Sequence, residues 1–455
     1  MTPPLRPNAP RAVPRAVPRA GQRGAAALVV VMLLLLIVAL VAAYTSRNLI
    51  FEQRTSANQY RSTQALEAAE AGVEWALTLL NAGRIDAQCQ PHADPSTPDT
   101  TFRQRYLQLA ADTGRVTALK YDKDADGVAE EPLRPACVFD GSDWRCSCPT
   151  VAAPALAEPA GAGPFPAFRV RFHDAPDNPA EPPYPAGVVR VEATGCTRLD
   201  AAPGQICADA TSPGDAQARV TVLAALKGAL AAPPAAALSV RGDLDVGAGL
   251  LRAINGAHGT TGITLLTGDA AIQGTPLLLA SAPGTPTEAS VVENDARLSD
   301  ASLTPERMFT GVFGAGRDTY RQQPATVELT CSPTCSGAAV RDLVRLAPGR
   351  IVWVGGSLDL DTTEPVGTAA EPALLVVDGD LTASQAGAVV NGVVYLSGAQ
   401  WDGAAATVRG AVVAESALTL AGTGPHTVEY DAATLSRLHK THGSFVRVPG
   451  SWRDF

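Results

Sequence analysis

The chain has 455 residues, and its length favours two or three folded units rather than one ordinary domain. Hydrophobic residues make up 46% of it, while 41 Gly and 36 Pro favour short strands and loops over long helices. The formal net charge of −9 argues against nucleic acid as the main partner.

The N-terminus combines a basic leader with an apolar segment. Residues 1–24 form an Arg-rich leader that contains no acidic residue, and residues 25–46 carry no charge at all. As a helix rising about 1.5 Å per residue, that segment is long enough to cross a bilayer. The positive-inside rule keeps the leader in the cytoplasm. The sequence therefore predicts a single pass through the membrane, with the bulk of the chain outside the cytoplasm; the family resemblance described below implies the inner membrane and the periplasm.

The apolar segment has two other interpretations, a secretory signal peptide and an uncleaved membrane anchor. The apolar region of a secretory signal peptide usually has about 7 to 15 residues, which is shorter than the segment seen here. An uncleaved membrane anchor remains an alternative, because apolarity alone does not distinguish it.

The helical pattern continues beyond the apolar segment to about Leu80, with no helix breaker on the way. A recurring apolar stripe along this part predicts one amphipathic face. The stripe consists of Leu66, Ala69, Val73, Ala76, Leu77 and Leu80. We therefore predict one long helix over residues 25–80, with an apolar first half and an amphipathic second half.

These features together resemble the N-terminal region of PilX-type pilus assembly proteins. The resemblance lies in RGAAALVVVMLLLLIVAL, in EQRTSANQYRSTQALEAAEAGVEWAL, and above all in the RG/A junction and the AAEAG segment. It implies cleavage by a prepilin peptidase between Gly24 and Ala25, methylation of the new N-terminus, and other minor and major pilins as partners. It also implies a minor role in a type IV pilus filament, on the pilus or at the cell surface.

One residue departs from the major-pilin pattern. Major pilins have Glu as the fifth residue after the cleavage site, and this chain has Val29 there. Some minor pilins resemble it in this respect. The K-type minor pseudopilin of type II secretion also lacks that Glu, and it is therefore an alternative.

Residues 81–230 predict a small pilin-like head. Three strand-like stretches, 168–172, 188–193 and 218–225, predict an antiparallel sheet on which the helix packs. All eight Cys follow the apolar segment, so disulfides in an oxidising compartment are expected. Local spacing favours Cys196–Cys207 and Cys331–Cys335. It leaves the pairing of four others open, namely Cys89, Cys137, Cys146 and Cys148.

An acidic loop within the head is a candidate Ca²⁺ site. Asp122, Asp124 and Asp126 alternate before Gly127, as in the first half of an EF-hand loop. The twelfth position is Leu133 instead of Glu, although Glu130 or Glu131 could substitute in a non-standard loop. A solvated acidic turn is the alternative interpretation.

Residues 237–430 predict a β-solenoid-like all-β domain, and 431–455 a C-terminal tail. Short apolar strands alternate with Gly-containing turns at a loose period of 18 or 19 residues, which suits the coils of a solenoid. Stacked coils leave an exposed end that requires a cap. Residues 280–350 fit the pattern poorly and are predicted to be an excursion. A β-sandwich is the alternative architecture.

The fold class predicted for the whole chain is α+β, and no enzymatic activity is expected. No GxSxG, P-loop or dinucleotide motif is present, and the His439-x-x-His442 pair does not match the HExxH spacing. The predicted function is assembly of the pilus and presentation of a β-rich domain for adhesion or interaction. A membrane-tethered carbohydrate-active or carbohydrate-binding solenoid is an alternative of a different class.

Overall fold

The computed structural model describes residues 23–161, 165–199, 206–207, 215–256 and 260–454. The chain divides into two units, residues 1–60 and 61–455, which are described separately. Residues 1–22, which are most of the predicted leader, lie outside the described residues.

A single helix, α1 (Arg23–Leu80), contains both the predicted membrane segment and the predicted amphipathic segment. The large apolar side chains from Leu28 to Phe51 are exposed, and this is the one described helix that is long and apolar enough to cross a membrane. From residue 61 onward, the helix has a buried face of mostly small residues. That face comprises Ala65, Ala68, Ala69, Val73, Ala76 and Leu80.

The remaining elements are short. The helices are α2 (Phe102–Tyr106), α3 (Pro305–Phe313), α4 (Arg317–Arg321), α5 (Gly337–Leu346) and α6 (Ala432–Thr441), with a 3₁₀ turn at Thr287–Ser290. The strands of the first part are β1 (Leu107–Leu109), β2 (Val116–Ala118), β3 (Lys120–Tyr121), β4 (Glu131–Pro132), β5 (Ala136–Phe139), β6 (Trp144–Ser147), β7 (Ala167–His173), β8 (Val188–Cys196) and β9 (Gln217–Gly228).

The strands of the second part are β10 (Ala236–Val240), β11 (Leu244–Ala248), β12 (Leu251–Asn255), β13 (Ile263–Thr267), β14 (Gln273–Thr275), β15 (Leu278–Ser281), β16 (Val291–Val292), β17 (Thr326–Ser336), β18 (Ile351–Asp359), β19 (Ala373–Val377), β20 (Leu381–Ala383), β21 (Ala388–Leu396), β22 (Gln400–Gly403), β23 (Ala406–Ala414), β24 (Leu418–Leu420), β25 (His426–Tyr430) and β26 (Gly443–Arg447).

The head is built on a six-stranded antiparallel sheet of order β26-β9-β8-β7-β5-β6. Strands β7, β8 and β9 contain the three predicted stretches, and their alternating burial turns one face toward α1. The two short ladders β1–β2 and β3–β4 lie outside this sheet.

Glycine brings α1 unusually close to this sheet. A Cβ atom on Gly195 of β8 would collide with the backbone of Ala65 and Ala69, and one on Gly72 would lie 2.9 Å from the Phe168 ring. Helix backbone and strand backbone are therefore almost in contact at Gly195. The small residues of the AAEAG segment make this packing distance possible.

The segment 431–455, predicted as a tail, instead forms helix α6 and strand β26. Strand β26 pairs antiparallel with β9, with Gly443 opposite Gly228 and Phe445 opposite Leu226. Phe445 is buried, and its backbone N–H donates to the Asn81 side chain over 2.8 Å. The apolar positions of β26 are too few for recognition as a strand without its distant partner.

Because β26 pairs with β9, residues 229–442 are inserted between two neighbouring strands of the head sheet.

The inserted part contains a 16-stranded sheet in which every described pairing is parallel. The glycines that recur with the period of 18 or 19 residues stack on one another from one repeat to the next. Gly410 pairs with Gly392, and the Gly398 N–H donates to the Gly379 carbonyl over 3.1 Å. Antiparallel pairing of the β-sandwich kind is not found among these strands.

The levels of this sheet do not follow chain order. From one end to the other they run β17, β18, β19 with β20, β21 with β22, β23 to β25, β10 to β12, β13 to β15, and finally β16, which pairs with β13. The last strands in sequence therefore pair with the first: β23 with β10, β24 with β11 and β25 with β12. Residues 293–325 connect the two ends.

Short helices cover the inserted sheet at two places. At the β17–β18 end, α5 buries Val340 and Val344 against the interior, as a cap requires. On an outer face, α3 and α4 pack aromatic rings on the sheet, with 5.9 Å between the ring centroids of Phe309 and Trp353 and 5.0 Å between those of Phe313 and Tyr395. The helices at both places, α3, α4 and α5, lie within residues 280–350, the segment predicted as an excursion.

The contribution of β26 is testable with two substitutions on opposite faces of the strand. We expect Phe445→Ala to cost about 3–5 kcal/mol, because it empties a fully buried ring site. Val446→Ala removes a side chain that is 37% exposed, and it should cost less than about 1 kcal/mol. Thermal unfolding of the full chain in detergent measures both. Equal midpoints for the two variants would show that β26 does not hold the head together.

Candidate functional site

The start of α1 is the first candidate site. The helix begins at Arg23, so Gly24 and Ala25 lie in its first turn. Val29 is 58% exposed on the helix surface. The first acidic residue after Ala25 is Glu52, so the apolar part of this helix contains no carboxylate.

The acidic loop brings its three carboxylates together. Ligand atoms of Asp122, Asp124 and Asp126 all lie within 4.8 Å of one another. Backbone amides organise the loop: the Gly127 N–H donates to Asp122 over 2.7 Å, and the Val128 N–H donates to Asp126 over 2.8 Å. The hydrogen bond from Gly127 is the main cause of the lowered pKa of Asp122. The carboxylates thus converge as a hard cation requires.

The structure also distinguishes the residues considered for the twelfth loop position. Leu133 is buried in the core of the head and offers no oxygen ligand. Glu131 already pairs with Arg134 over 2.9 Å. Glu130 is exposed, so it is the acidic side chain free to approach the loop.

Four disulfides are formed. Cys196 pairs with Cys207 and Cys331 with Cys335, the two pairings that local spacing favoured. The pairings that the sequence left open are Cys89–Cys148 and Cys137–Cys146. The latter bridges directly paired residues of β5 and β6. The Cys331–Cys335 loop falls where β17 shifts register against β18, on an outer strand of the inserted sheet.

The carboxylates of the inserted domain bind backbone amides and side chains that hold the sheet together. Asp380 accepts from the Ala399 and Gln400 N–H groups, and Asp359 accepts from the Ser384 N–H. Asp361 accepts from the Ala338 N–H, and Asp378 accepts from the Trp353 ring N–H over 2.7 Å. These acids therefore fix turns and neighbouring levels.

A charged cluster lies where α4 meets the sheet. Arg317 pairs with Glu415, and the Tyr395 hydroxyl donates to the same carboxylate over 2.6 Å. The Arg317 guanidinium also lies 4.5 Å from the Phe309 ring centroid. The cluster anchors the covering helices. It could not be predicted from the sequence, because its members are far apart in the chain.

His439 and His442 do not form a pair of free ligands. His442 is buried, with Nε2 2.9 Å from the Pro372 carbonyl oxygen, and burial lowers its pKa to about 4. His439 Nδ1 lies 3.0 Å from the Leu230 carbonyl oxygen. Each ring is bound to backbone.

Arg103 is a residue that sequence reasoning missed. Its guanidinium is buried and donates to three carbonyls, those of Leu80, Thr441 and Gly443. Burial lowers its pKa to about 10. It ties the end of α1 to α6 and β26, which is a structural role rather than a chemical one.

Comparison with known proteins identifies one similarity. The model of the PilX N-terminal family matches residues 23–74. The match therefore covers the apolar half of α1 and the AAEAG segment. No curated protein and no solved structure matches the chain.

Ca²⁺ binding by the acidic loop remains a prediction, and calcium titration tests it. Binding to the folded form alone stabilises it by about 2.7 kcal/mol at a hundredfold excess over Kd. We expect millimolar Ca²⁺ to raise the thermal midpoint of the wild-type chain. Asp124→Ala should abolish the increase, because it removes one of the three oxygen ligands, and it removes no hydrogen bond among the described residues. An unchanged wild-type midpoint would show that the loop is only a turn.

Proposed function

The N-terminal region belongs to a PilX-type, type IV pilus-related pilin-like protein, and from this premise we propose that the chain is a minor pilin that promotes pilus assembly. It is processed by a prepilin peptidase after Gly24 and anchored in the inner membrane by the apolar half of α1. Its bulk lies in the periplasm and reaches the pilus or the cell surface after assembly. Its partners are the prepilin peptidase and other minor and major pilins.

One observation carries this proposal: one uninterrupted helix combines a PilX-type sequence, an exposed apolar half and a half packed on an antiparallel sheet. An ordinary membrane anchor requires only the apolar half. The close approach at Gly72 and Gly195 makes the second half an integral part of the head. This coupling of anchor and head is what a pilin needs when it moves from membrane to filament.

The inserted domain, in this proposal, is a β-solenoid that presents a surface for adhesion or interaction. The parallel pairing between levels and the stacked glycines support the solenoid architecture. Its acids bind backbone amides, which supports a non-enzymatic role. A carbohydrate-active or carbohydrate-binding solenoid tethered to the membrane is the second candidate function. It has no need of the PilX-type helix, so the family match favours the pilin.

A K-type minor pseudopilin of type II secretion is the remaining alternative, because Val29 fits both machines. Deletion of the gene for this protein in the native host separates the two alternatives. Loss of surface pili would identify a minor pilin, whereas loss of exoprotein secretion would identify a pseudopilin.

Processing is the first test. We expect mass spectrometry of the membrane-purified protein to show a mature N-terminus at Ala25, with a methylated amine. The prediction follows from the Arg23-Gly24/Ala25 junction ahead of an unbroken apolar helix. Cells that lack the peptidase are the control, and they should retain Met1. Intact Met1 in peptidase-competent cells would contradict the assignment.

The position in the filament follows from the charge of the mature N-terminus. An ammonium buried in an apolar helix bundle is costly without a partner. Val29 cannot supply that partner, and the chain offers no acid before Glu52. Repetition of this subunit along the shaft would leave one unpaired charge at every step. A subunit at the tip, added first, avoids that cost, and a large inserted domain is also easier to accommodate at an end.

We therefore expect this protein to be a low-copy subunit near the tip. Gold-labelled antibody against residues 237–430 should decorate filament ends, with few particles per fibre. An antibody against the major pilin serves as the control for shaft labelling. Uniform decoration of the shaft by the first antibody would overturn the tip assignment.

A further inference from the structure

An open groove lies between α1 and the edge of the head sheet. Its volume is about 570 Å³, and it is lined by Gln64, Glu67, Ala68, Phe139, Gly141, Trp144, Phe165 and Pro166. Strand β6 is an edge strand of the sheet, while the close approaches of α1 at Gly72 and Gly195 are to β7 and β8. The β5–β6 hairpin therefore projects past the helix and leaves the groove beside it.

The walls of this groove are aromatic. Phe139, Trp144 and Phe165 are each half-buried, so part of each ring remains accessible to a ligand. The Trp144 ring centroid lies 5.5 Å from that of Phe139 and 4.8 Å from that of Phe168. Contact with the buried Phe168 holds the Trp144 ring in place. Faces of aromatic rings carry negative electrostatic potential and attract cations.

One uncompensated carboxylate lies at the groove. Glu67 is exposed, and within the described residues it makes no ion pair or hydrogen bond. The nearby basic side chain, Arg145, is occupied, since its Nε donates to Asp140 over 2.7 Å. The groove thus presents a negative charge beside aromatic faces, a combination that selects an organic cation with a flat apolar surface.

We propose that this groove receives an arginine side chain from a neighbouring pilin-type subunit; the partner class rests on the function proposed above. A guanidinium stacks on aromatic faces and pairs with a carboxylate at the same time. A lysine ammonium is more strongly hydrated and gains less from the rings. The exposed Glu67 carboxylate and the accessible ring faces are complementary to a guanidinium, and the function proposed above makes a neighbouring pilin-type subunit its source. Trp144 and Glu67 are the two sides of this arginine site.

Site-specific photo-cross-linking in the full-length protein tests the proposal. A photoreactive phenylalanine analogue replaces Gln64, which lines the groove but is neither the carboxylate nor an aromatic wall. After irradiation of piliated cells, the adducts are mapped by mass spectrometry in the membrane and sheared-pilus fractions. We expect an adduct with another pilin-type subunit, within a peptide that contains Arg.

The cross-link should depend on both sides of the site. Glu67→Arg and Trp144→Ala should each lower the adduct yield about tenfold. Glu70→Arg is the matched control, because Glu70 is an exposed acid on the same helix that does not line the groove, and it should leave the yield unchanged. Replacement of the partner's arginine by Glu should restore the adduct in the Glu67→Arg background. That rescue distinguishes a direct contact from a folding defect.

Three outcomes would overturn the proposal: adducts whose peptides lack arginine, a yield that Glu67→Arg does not change, or adducts with lipid alone. Failure of the pilus function gives a different result. The protein would then be missing from the pilus fraction, while a Glu67-dependent adduct with a pilin-type subunit could still form in the membrane.

Discussion

The near-contact between α1 and strand β8 is the constraint on which the rest of the structure depends. At Gly195 the strand backbone meets the helix backbone at Ala65 and Ala69, and Gly72 leaves room for the Phe168 ring. A side chain at either glycine would push the helix off the sheet and open the core of the head. Close backbone approach buries apolar area continuously, and it fixes the helix in direction as well as position. The part of α1 from residue 61 onward is therefore a structural element of the head itself.

The sequence was most informative where the determinants are local. The helix followed from its periodicity, the central strands from their alternation, and the Cys196–Cys207 and Cys331–Cys335 pairings agree with short spacing. It was least informative where partners are distant. Strand β26 is recognisable as a strand only beside β9, and Cys89–Cys148 joins residues with a sequence separation of 59. The order of levels in the inserted sheet is equally non-local, because a loose period defines the repeat but not which repeats become neighbours.

Several charged side chains of this molecule stabilise the fold through hydrogen bonds to the backbone. Asp359, Asp380 and Asp361 accept hydrogen bonds from backbone amides of exposed turns. Arg103 donates to carbonyls, including the buried ones of Leu80 and Gly443, which burial would otherwise leave unpaired. The acidic loop belongs to the same pattern, since Gly127 and Val128 donate to its carboxylates before any cation is considered. Glu67 differs from these residues. It is an exposed acid beside aromatic rings, and within the part of the chain that the structure describes it makes no ion pair or hydrogen bond. Such a difference separates side chains that build the fold from those available to a partner.

The insertion of residues 229–442 between β9 and β26 has a consequence for biogenesis. Synthesis from the N-terminus completes β9 well before β26, so the head sheet keeps an open edge while the entire inserted domain is made. Unpaired edges of this kind attract strands from other chains. Residues 443–447, which follow the inserted domain, close the sheet, bind Asn81 and accept a hydrogen bond from Arg103. Completion of the head therefore requires that the entire inserted domain has been made, and a chain terminated before β26 would expose its defect at the head itself.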